Sequence, residues 1–136
     1  MPRGQPKKNI SAEAQEQEAL FAWARLSAAK YPGLELMYHI PNEGKRTVSN
    51  GAALKRQGLK KGVPDICLPV PKGKYHGMYI EMKKKGEKPT AEQKKYINEL
   101  AKQGYACIIA DKGWADAAEL IKEYMSMEER NAIKRQ

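Results

Sequence analysis

The sequence predicts one α/β domain, and three observations support this class. Stretches with helical spacing alternate with short apolar runs that are typical of strands. The length of 136 residues suits a single core, and a content of 41% hydrophobic and 30% charged residues is ordinary for a globular protein. No repeat or low-complexity linker divides the chain. We therefore expect one domain at residues 11–126.

The two ends of the chain differ from this domain. Residues 1–10 contain basic residues and prolines without an apolar anchor, and residues 127–136 are highly charged. A basic flexible arm and a charged tail are therefore expected. No apolar run approaches the roughly 18 residues of a membrane span, and the first residues lack the apolar middle of a signal peptide. These features favour a cytoplasmic protein that does not enter a membrane.

The first helix is predicted over residues 11–30, with Ser11 as its cap. An apolar stripe at helical spacing includes Leu20, and its extension toward the N-terminus reaches Glu16 and then Glu13. Glu16 would lie at the end of the core-facing side, where a carboxylate could reach a pocket. The alternative is a solvated acid that the helix dipole stabilises.

Local patterns predict the remaining elements. In chain order they are a strand at 34–40, a loop at 41–46, a short helix at 47–59, a hairpin at 65–83, a helix at 90–104, a buried strand at 105–110 and a closing helix at 114–125. Gly58 can end the short helix. Thr90 followed by Gln93 is a capping-box signature, and Ile97 and Leu100 belong to the core stripe of that helix.

The predicted hairpin carries two acids and a lysine within apolar strands. Because side chains alternate along a strand, Glu81 and Lys83 lie on one face and their apolar neighbours on the other. Gly73, inside the predicted turn, is the midpoint between positions 65 and 81. A symmetric antiparallel hairpin therefore sets Asp65 opposite Glu81, about 5 Å apart at Cβ. Carboxylates this close repel each other unless a proton or a cation lies between them.

This arrangement predicts a phosphodiesterase site. Oxygen ligands without neighbouring histidine or cysteine suit a hard ion, Mg²⁺ or Mn²⁺. Such an ion could bind the scissile phosphate and activate a water, which Lys83 could position. In the alternative interpretation, Asp65 caps a turn while Glu81 and Lys83 belong to a solvated strand face.

The formal charge of +9 indicates a polyanionic partner, because nucleic acid is the commonest partner for such an excess. Several basic clusters surround the hairpin in the sequence. We expect phosphate contacts from Lys45, Arg46, Lys55, Arg56, Lys60, Lys61 and Lys84.

At this point the motifs resemble a known family. "GVPD" followed by "YIEMK" resembles the PD-(D/E)XK nuclease signature. The order of the elements resembles the restriction-endonuclease-like core, in which helices flank a mixed central sheet. More narrowly, "EQEALFAWA", "IPNEGKR", "LKRQGLKKGVPDICLP", "GMYIEMK" and "TAEQKKYINELAKQGY" resemble the stand-alone VRR-NUC nucleases of phages and bacteria. The likeness runs from about residue 13 to 124.

The resemblance implies a role for each matching residue. It implies a metal site formed by Glu16, Asp65, Glu81 and the backbone carbonyl of Met82, and catalytic roles for Asp65, Glu81, Lys83 and Gln93. Gln93 matches a glutamine that often follows this strand in the superfamily, but it also fits the capping box. Both roles stay open at this stage.

The function predicted from the sequence is a Mg²⁺- or Mn²⁺-dependent endonuclease that cleaves DNA. The resemblance implies branched substrates such as four-way junctions, a homodimer, no small-molecule cofactor and, for a phage-encoded protein, the host cytoplasm. Trp114, Leu120 and Tyr124 are either interface or core residues. The alternatives are a catalytically silent DNA-binding module on the same scaffold, and a basic RNA-binding or scaffolding protein. The intact acid pair and lysine argue against the silent module.

Overall fold

Helices and short strands alternate along the residues that the structure, a computed structural model, describes, which are 11–41 and 48–129. The elements are α1 Ala12–Ser27, a 3₁₀ helix Pro32–Leu36, β1 Tyr38–His39, α2 Val48–Arg56, β2 Ile66–Leu68, β3 Met78–Met82, α3 Ala91–Lys102, β4 Ala106–Ala110 and α4 Trp114–Met125. The expected arm at residues 1–10, most of the loop at 41–46 and the tail from residue 130 lie outside the described residues. Within the described ranges, no helix is both long and apolar enough to cross a membrane.

The four strands form one mixed sheet in the order β1, β2, β3, β4. β2 pairs antiparallel with β1 and with β3, while β4 runs parallel to β3. A parallel neighbour needs a crossover connection, and α3 supplies it. The predicted hairpin is therefore confirmed, and the sheet is mixed and flanked by helices.

The apolar core lies between one face of the sheet and helices α1 and α4. Leu20 of α1, Ile80 of β3 and Ile121 of α4 are fully buried in this layer. Tyr124 is also buried, with 1% of its surface exposed, so this residue belongs to the core and not to a surface interface. Burial of such side chains stabilises the fold by roughly 1.5–3 kcal/mol each.

Helix α3 lies over the opposite face of the sheet, where the thiol of Cys107 in β4 reaches the carbonyl of Ile97 at 3.8 Å. Its predicted stripe is less buried than the sequence indicates: Ile97 and Leu100 are half-buried, and α3 has no fully buried residue. Leu100 keeps part of its surface open because it lines a groove beside the loop between α2 and β2.

The prediction of a strand over residues 34–40 is wrong for most of those residues. Only Tyr38 and His39 pair with β2, and the preceding residues form the 3₁₀ helix. Pro32 occupies the first turn of that helix, where its fixed φ and missing N–H are tolerated. Local apolar alternation does not separate such a turn from a strand.

The loop between α2 and β2 packs tightly against the first turn of α3. Gly62 has a φ of +83°, and a Cβ atom added there would lie 2.5 Å from the carbonyl oxygen of Glu92. Only glycine combines this left-handed backbone with this close approach. The position of the loop relative to α3 therefore depends on Gly62.

We expect Gly62→Ala to destabilise the protein by roughly 2 kcal/mol or more, because left-handed strain adds to a clash with backbone. Gly86→Ala is the matched control, since Gly86 has a similar φ of +82° with open space around it. The control should lose only about 1–2 kcal/mol. Urea denaturation measures both values, and equal losses would contradict the close-packing argument.

Candidate functional site

The pairing of β2 with β3 brings two acids together. Ile66 pairs with Ile80, so continuing the antiparallel register by one residue places Asp65 opposite Glu81. This confirms the register predicted from the midpoint at Gly73. Both side chains are buried, with exposed fractions of 6% for Asp65 and 2% for Glu81.

Three hydrogen bonds from two neighbouring segments fix Asp65 in the chain. The backbone N–H of Met82 donates to Asp65 Oδ2 at 2.8 Å. The backbone carbonyl of Asp65 accepts from the N–H of Ile40 at 2.6 Å and from Nδ1 of His39 at 2.8 Å. Main-chain position and carboxylate orientation are therefore both set by neighbouring strands.

Glu81 has one oxygen that is hydrogen-bonded and one that is not. Gln93 Nε2 donates to Glu81 Oε1 at 3.1 Å, whereas Oε2 is buried and has no hydrogen-bond partner among the described residues. Burial and the neighbouring Asp65 raise the pKa of Glu81 to about 9, although Lys83 acts in the opposite direction. Glu13 contributes a smaller upward shift of this pKa. The pair thus favours a proton or a cation between its carboxyl groups.

Gln93 makes two separate sets of contacts, one that caps α3 and one that reaches Glu81. Its side-chain oxygen accepts from the N–H of Thr90 at 2.8 Å, while its backbone N–H donates to Thr90 Oγ1 at 3.2 Å, completing a capping box. The same side chain uses its other end, Nε2, to contact Glu81. The start of α3 is therefore attached directly to the acid pair.

Lys83 is buried beside the acids and has a counter-ion close by. Its side chain is 5% exposed, and Nζ lies 3.5 Å from Glu87 Oε1. The turn between them is closed by a hydrogen bond from the N–H of Glu87 to the carbonyl of Lys84 at 2.9 Å. The backbone of Lys83 is held by β4, since its N–H donates to the carbonyl of Ala110 at 3.0 Å.

The two acids of α1 have different surroundings. Glu16 Oε2 accepts a hydrogen bond from the N–H of Trp114 at 2.6 Å, so this carboxylate caps α4, whose own cap residue is Gly113. Glu13, one turn earlier, raises the pKa of Glu81 and lines the same cavity as Asp65. The structure thus places Glu13 beside the acid pair, whereas Glu16 is engaged with the start of α4. This cavity of about 220 Å³ is lined by Ser11, Glu13, Ala14, Gln17, Glu18, His39 and Asp65.

The residues at the acid pair fit a hard divalent cation. A buried carboxylate oxygen without a donor, next to a second carboxylate, is an arrangement that positive charge stabilises. Among the described residues, no three acidic, histidine or cysteine side chains converge as a ready-made cage. Mg²⁺ does not require one, because it commonly takes one or two carboxylates together with waters and phosphate oxygens.

Five of the seven predicted phosphate-binding cations lie within the described residues. Lys45 and Arg46 lie outside the described residues. Lys55, Arg56, Lys60, Lys61 and Lys84 are exposed. Lys60 and Lys61 lie on the loop that Gly62 holds against α3, so their position is tied to the helix that contacts Glu81.

Comparison with known proteins agrees with the fold. The sequence profile of the VRR-NUC domain matches residues 1–112. A solved structure described as a "VRR_NUC domain protein" is similar to the chain with a TM-score of 0.75 and 28% sequence identity, covering 93% of this chain and 98% of that chain. None of the curated proteins matches the chain.

The chain belongs to the VRR-NUC domain family. Its mixed sheet with flanking helices is a restriction-endonuclease-like fold, as the motifs predict. Family membership implies a nuclease-type, DNA-processing function and suggests a requirement for a divalent metal.

Two residues at the site were not assigned a role from the sequence. Glu13 lies on the same helical stripe as Glu16, so the spacing indicates both acids without separating them. Glu87 lies four residues after Lys83, across a turn that contains Gly86. The spacing of four residues between Lys83 and an acid is the sequence signal that could have identified Glu87.

We expect Glu81→Gln to stabilise the protein at pH 8 in the presence of chelator, by about 1 kcal/mol or more, because the amide keeps the contact with Gln93 and folding no longer requires this buried carboxyl group to take up a proton. The folded-state pKa of Glu81 is raised from an ordinary 4.5 to about 9, so the folded protein holds the extra proton across this window. The contribution of Glu81 to stability therefore falls as pH rises from 4.5 through 9.

Thermal denaturation between pH 5 and pH 9 measures this effect. Wild-type protein should lose stability with rising pH more steeply than Glu81→Gln. The control is Glu119→Gln, which alters an exposed ion pair with Lys122. Identical pH slopes for wild type and Glu81→Gln would contradict the assignment of the raised pKa.

Proposed function

We propose that this protein is a Mg²⁺- or Mn²⁺-dependent endonuclease that hydrolyses phosphodiester bonds of DNA. The observation that carries the proposal is the buried oxygen of Glu81, which lies beside Asp65 and has no hydrogen-bond donor among the described residues. A catalytically silent binding module has no need to keep such a pair, because two buried acids destabilise a fold without compensating charge.

The cation would be held by the carboxylates of Asp65 and Glu81, with the carbonyl of Met82 as a further ligand. Glu13 takes the place of Glu16 as the acid that α1 contributes. When bound, the cation supplies a Lewis acid at the scissile phosphate and lowers the pKa of a water.

The residues of the chain supply orientation and charge. Gln93 holds Glu81 through Oε1 and leaves Oε2 without a donor, so that this oxygen could bind the cation. Met82 N–H holds Asp65 through Oδ2. Lys83 donates hydrogen bonds from Nζ to the attacking water and offsets the negative charge that develops on the phosphate. Glu87 positions Lys83 through the contact at 3.5 Å.

We further propose that the preferred substrate is branched DNA, such as a four-way junction, and that the active form is a homodimer in the cytoplasm. One chain carries a single Asp65–Glu81 pair among its described residues, whereas resolving a junction takes two symmetric nicks. A two-fold dimer supplies both from one sequence. Trp114 and Leu120 are half-buried and could contribute to an interface, whereas Tyr124 is buried in the core and could not.

We expect Lys83→Ala to reduce cleavage on the order of 10²-fold or more while leaving DNA affinity within a few-fold, because the lysine acts on the reacting atoms. Labelled linear duplex, single strand, flap and four-way junction, each with Mg²⁺ or chelator, measure the activity. Lys85→Ala is the control, since Lys85 is exposed and lies only two residues from Lys83.

Near-normal cleavage by Lys83→Ala would contradict this mechanism. Binding without cleavage of any substrate by the wild-type protein would instead support the silent module. Light scattering on the same samples reports the mass, and a strict monomer that cuts linear duplex as fast as a junction would remove the dimer proposal.

We expect Glu13→Gln to weaken Mn²⁺ binding by about tenfold, because a negative charge is removed next to Asp65 and Glu81. Glu16→Gln is the matched change one turn along α1. It should leave metal affinity nearly unchanged and lower stability by about 1 kcal/mol, since Glu16 caps α4. Calorimetric titration and thermal denaturation separate the two effects, and the reverse pattern would restore Glu16 as the metal-binding acid.

A further inference from the structure

A groove between the α2–β2 loop and α3 is not used by the site described above. Its volume is about 440 Å³, and its walls are mostly apolar. The floor is formed by Tyr96 and Leu100, both of which are half-buried. The residues that line the groove are Lys60, Lys61, Glu92, Lys95, Tyr96, Glu99, Leu100 and Gln103.

The chemistry of this lining fits one nucleotide. An aromatic ring and an aliphatic side chain offer a surface on which a base can stack. Lys60, Lys61 and Lys95 are exposed at the groove and can bind the phosphates on either side of that base. Carboxylate and amide oxygens of Glu92, Glu99 and Gln103 can accept hydrogen bonds from the exocyclic amino groups of a base. Glu99 also pairs with Lys102 at 3.2 Å, so part of its charge is already compensated.

The groove is connected rigidly to the acid pair. Its upper wall is the loop that approaches the carbonyl of Glu92 at Gly62, and its lower wall is α3. The first turn of the same helix carries Gln93, which contacts Glu81. A nucleotide in the groove would therefore have a fixed position relative to the scissile phosphate.

We propose that this groove binds an unstacked base of the DNA substrate, with the base on Tyr96 and the flanking phosphates on Lys60, Lys61 and Lys95. The inference rests on the proposed nuclease function and gives it a physical basis for preferring branched DNA. A continuous duplex keeps its bases stacked, whereas a branch point supplies one at a lower energetic cost. Selection then depends on the shape of the DNA and not on its sequence.

The test is equilibrium binding of a flap or four-way junction and of a linear duplex of equal length, by fluorescence anisotropy in chelator so that no strand is cut. We expect Tyr96→Ala to weaken binding of the branched DNA by about tenfold and of the linear duplex by less than about twofold. Tyr96→Phe keeps the ring and should bind both DNAs as the wild type does.

Lys95→Ser keeps the test decisive if Tyr96→Ala folds poorly. This variant should reduce the slope of log K against log salt concentration by roughly one for branched DNA alone. Lys94→Ser is the matched control, because Lys94 is exposed on the same helix and does not line the groove.

Three outcomes would overturn the proposal. The first is an equal loss of affinity for both DNAs, and the second is unchanged binding of branched DNA by Tyr96→Ala and Lys95→Ser. The third is a loss of self-association in Tyr96→Ala, which would assign the groove to a second copy of the chain. Absence of cleavage by the wild-type protein alongside a preference for branched DNA that depends on Tyr96 would reject the nuclease and keep the groove. Cleavage by the wild-type protein without a Tyr96-dependent preference for branched DNA would keep the nuclease and reject the groove.

Discussion

Antiparallel pairing of β2 with β3 holds this site together, because its register decides which side chains meet. Ile66 and Leu68 face Ile80 and Met78 across the pair, and all four are buried in the core. A slip of one residue would turn these apolar side chains toward the opposite face of the sheet, so burial of the core strongly specifies the register. The same register places Asp65 beside Glu81.

The acid pair is a local source of instability that the rest of the fold maintains. Two buried carboxyl groups repel each other, and the high pKa of Glu81 expresses that repulsion together with its burial. Strained or unsatisfied polar groups of this kind persist where the surrounding structure is stable enough to hold them in place. They are concentrated at functional sites. Here the surrounding structure is the apolar layer between the sheet, α1 and α4, together with hydrogen bonds from Met82 and Gln93.

Helix α3 connects the chemistry to the surface on which a substrate would lie. It is less buried than α1 and α4, yet its start is fixed by a capping box, by the loop at Gly62 and by the contact between Gln93 and Glu81. A helix held at its first turn and open along one side can offer a groove without losing its position. The lysines of that loop are consequently placed by backbone packing, which lowers the conformational freedom they lose on binding an anion.

The sequence by itself determined the class of fold, the hairpin and the group of Asp65, Glu81 and Lys83. These follow from alternation along a strand and from the symmetry of a hairpin about Gly73, which are local rules. Only the tertiary structure decided the partners that come from distant elements. Glu13 and Glu16 share a helical stripe, and they have different surroundings because the N–H of Trp114, at the start of α4, donates to Glu16. The spacing of Gln93 predicts the capping box, whereas its contact with Glu81 forms only because the start of α3 lies beside β3. The short 3₁₀ helix replaces a predicted strand for the same reason: pairing of an apolar segment is settled by its neighbours in space, and neighbours in space are not encoded in local spacing.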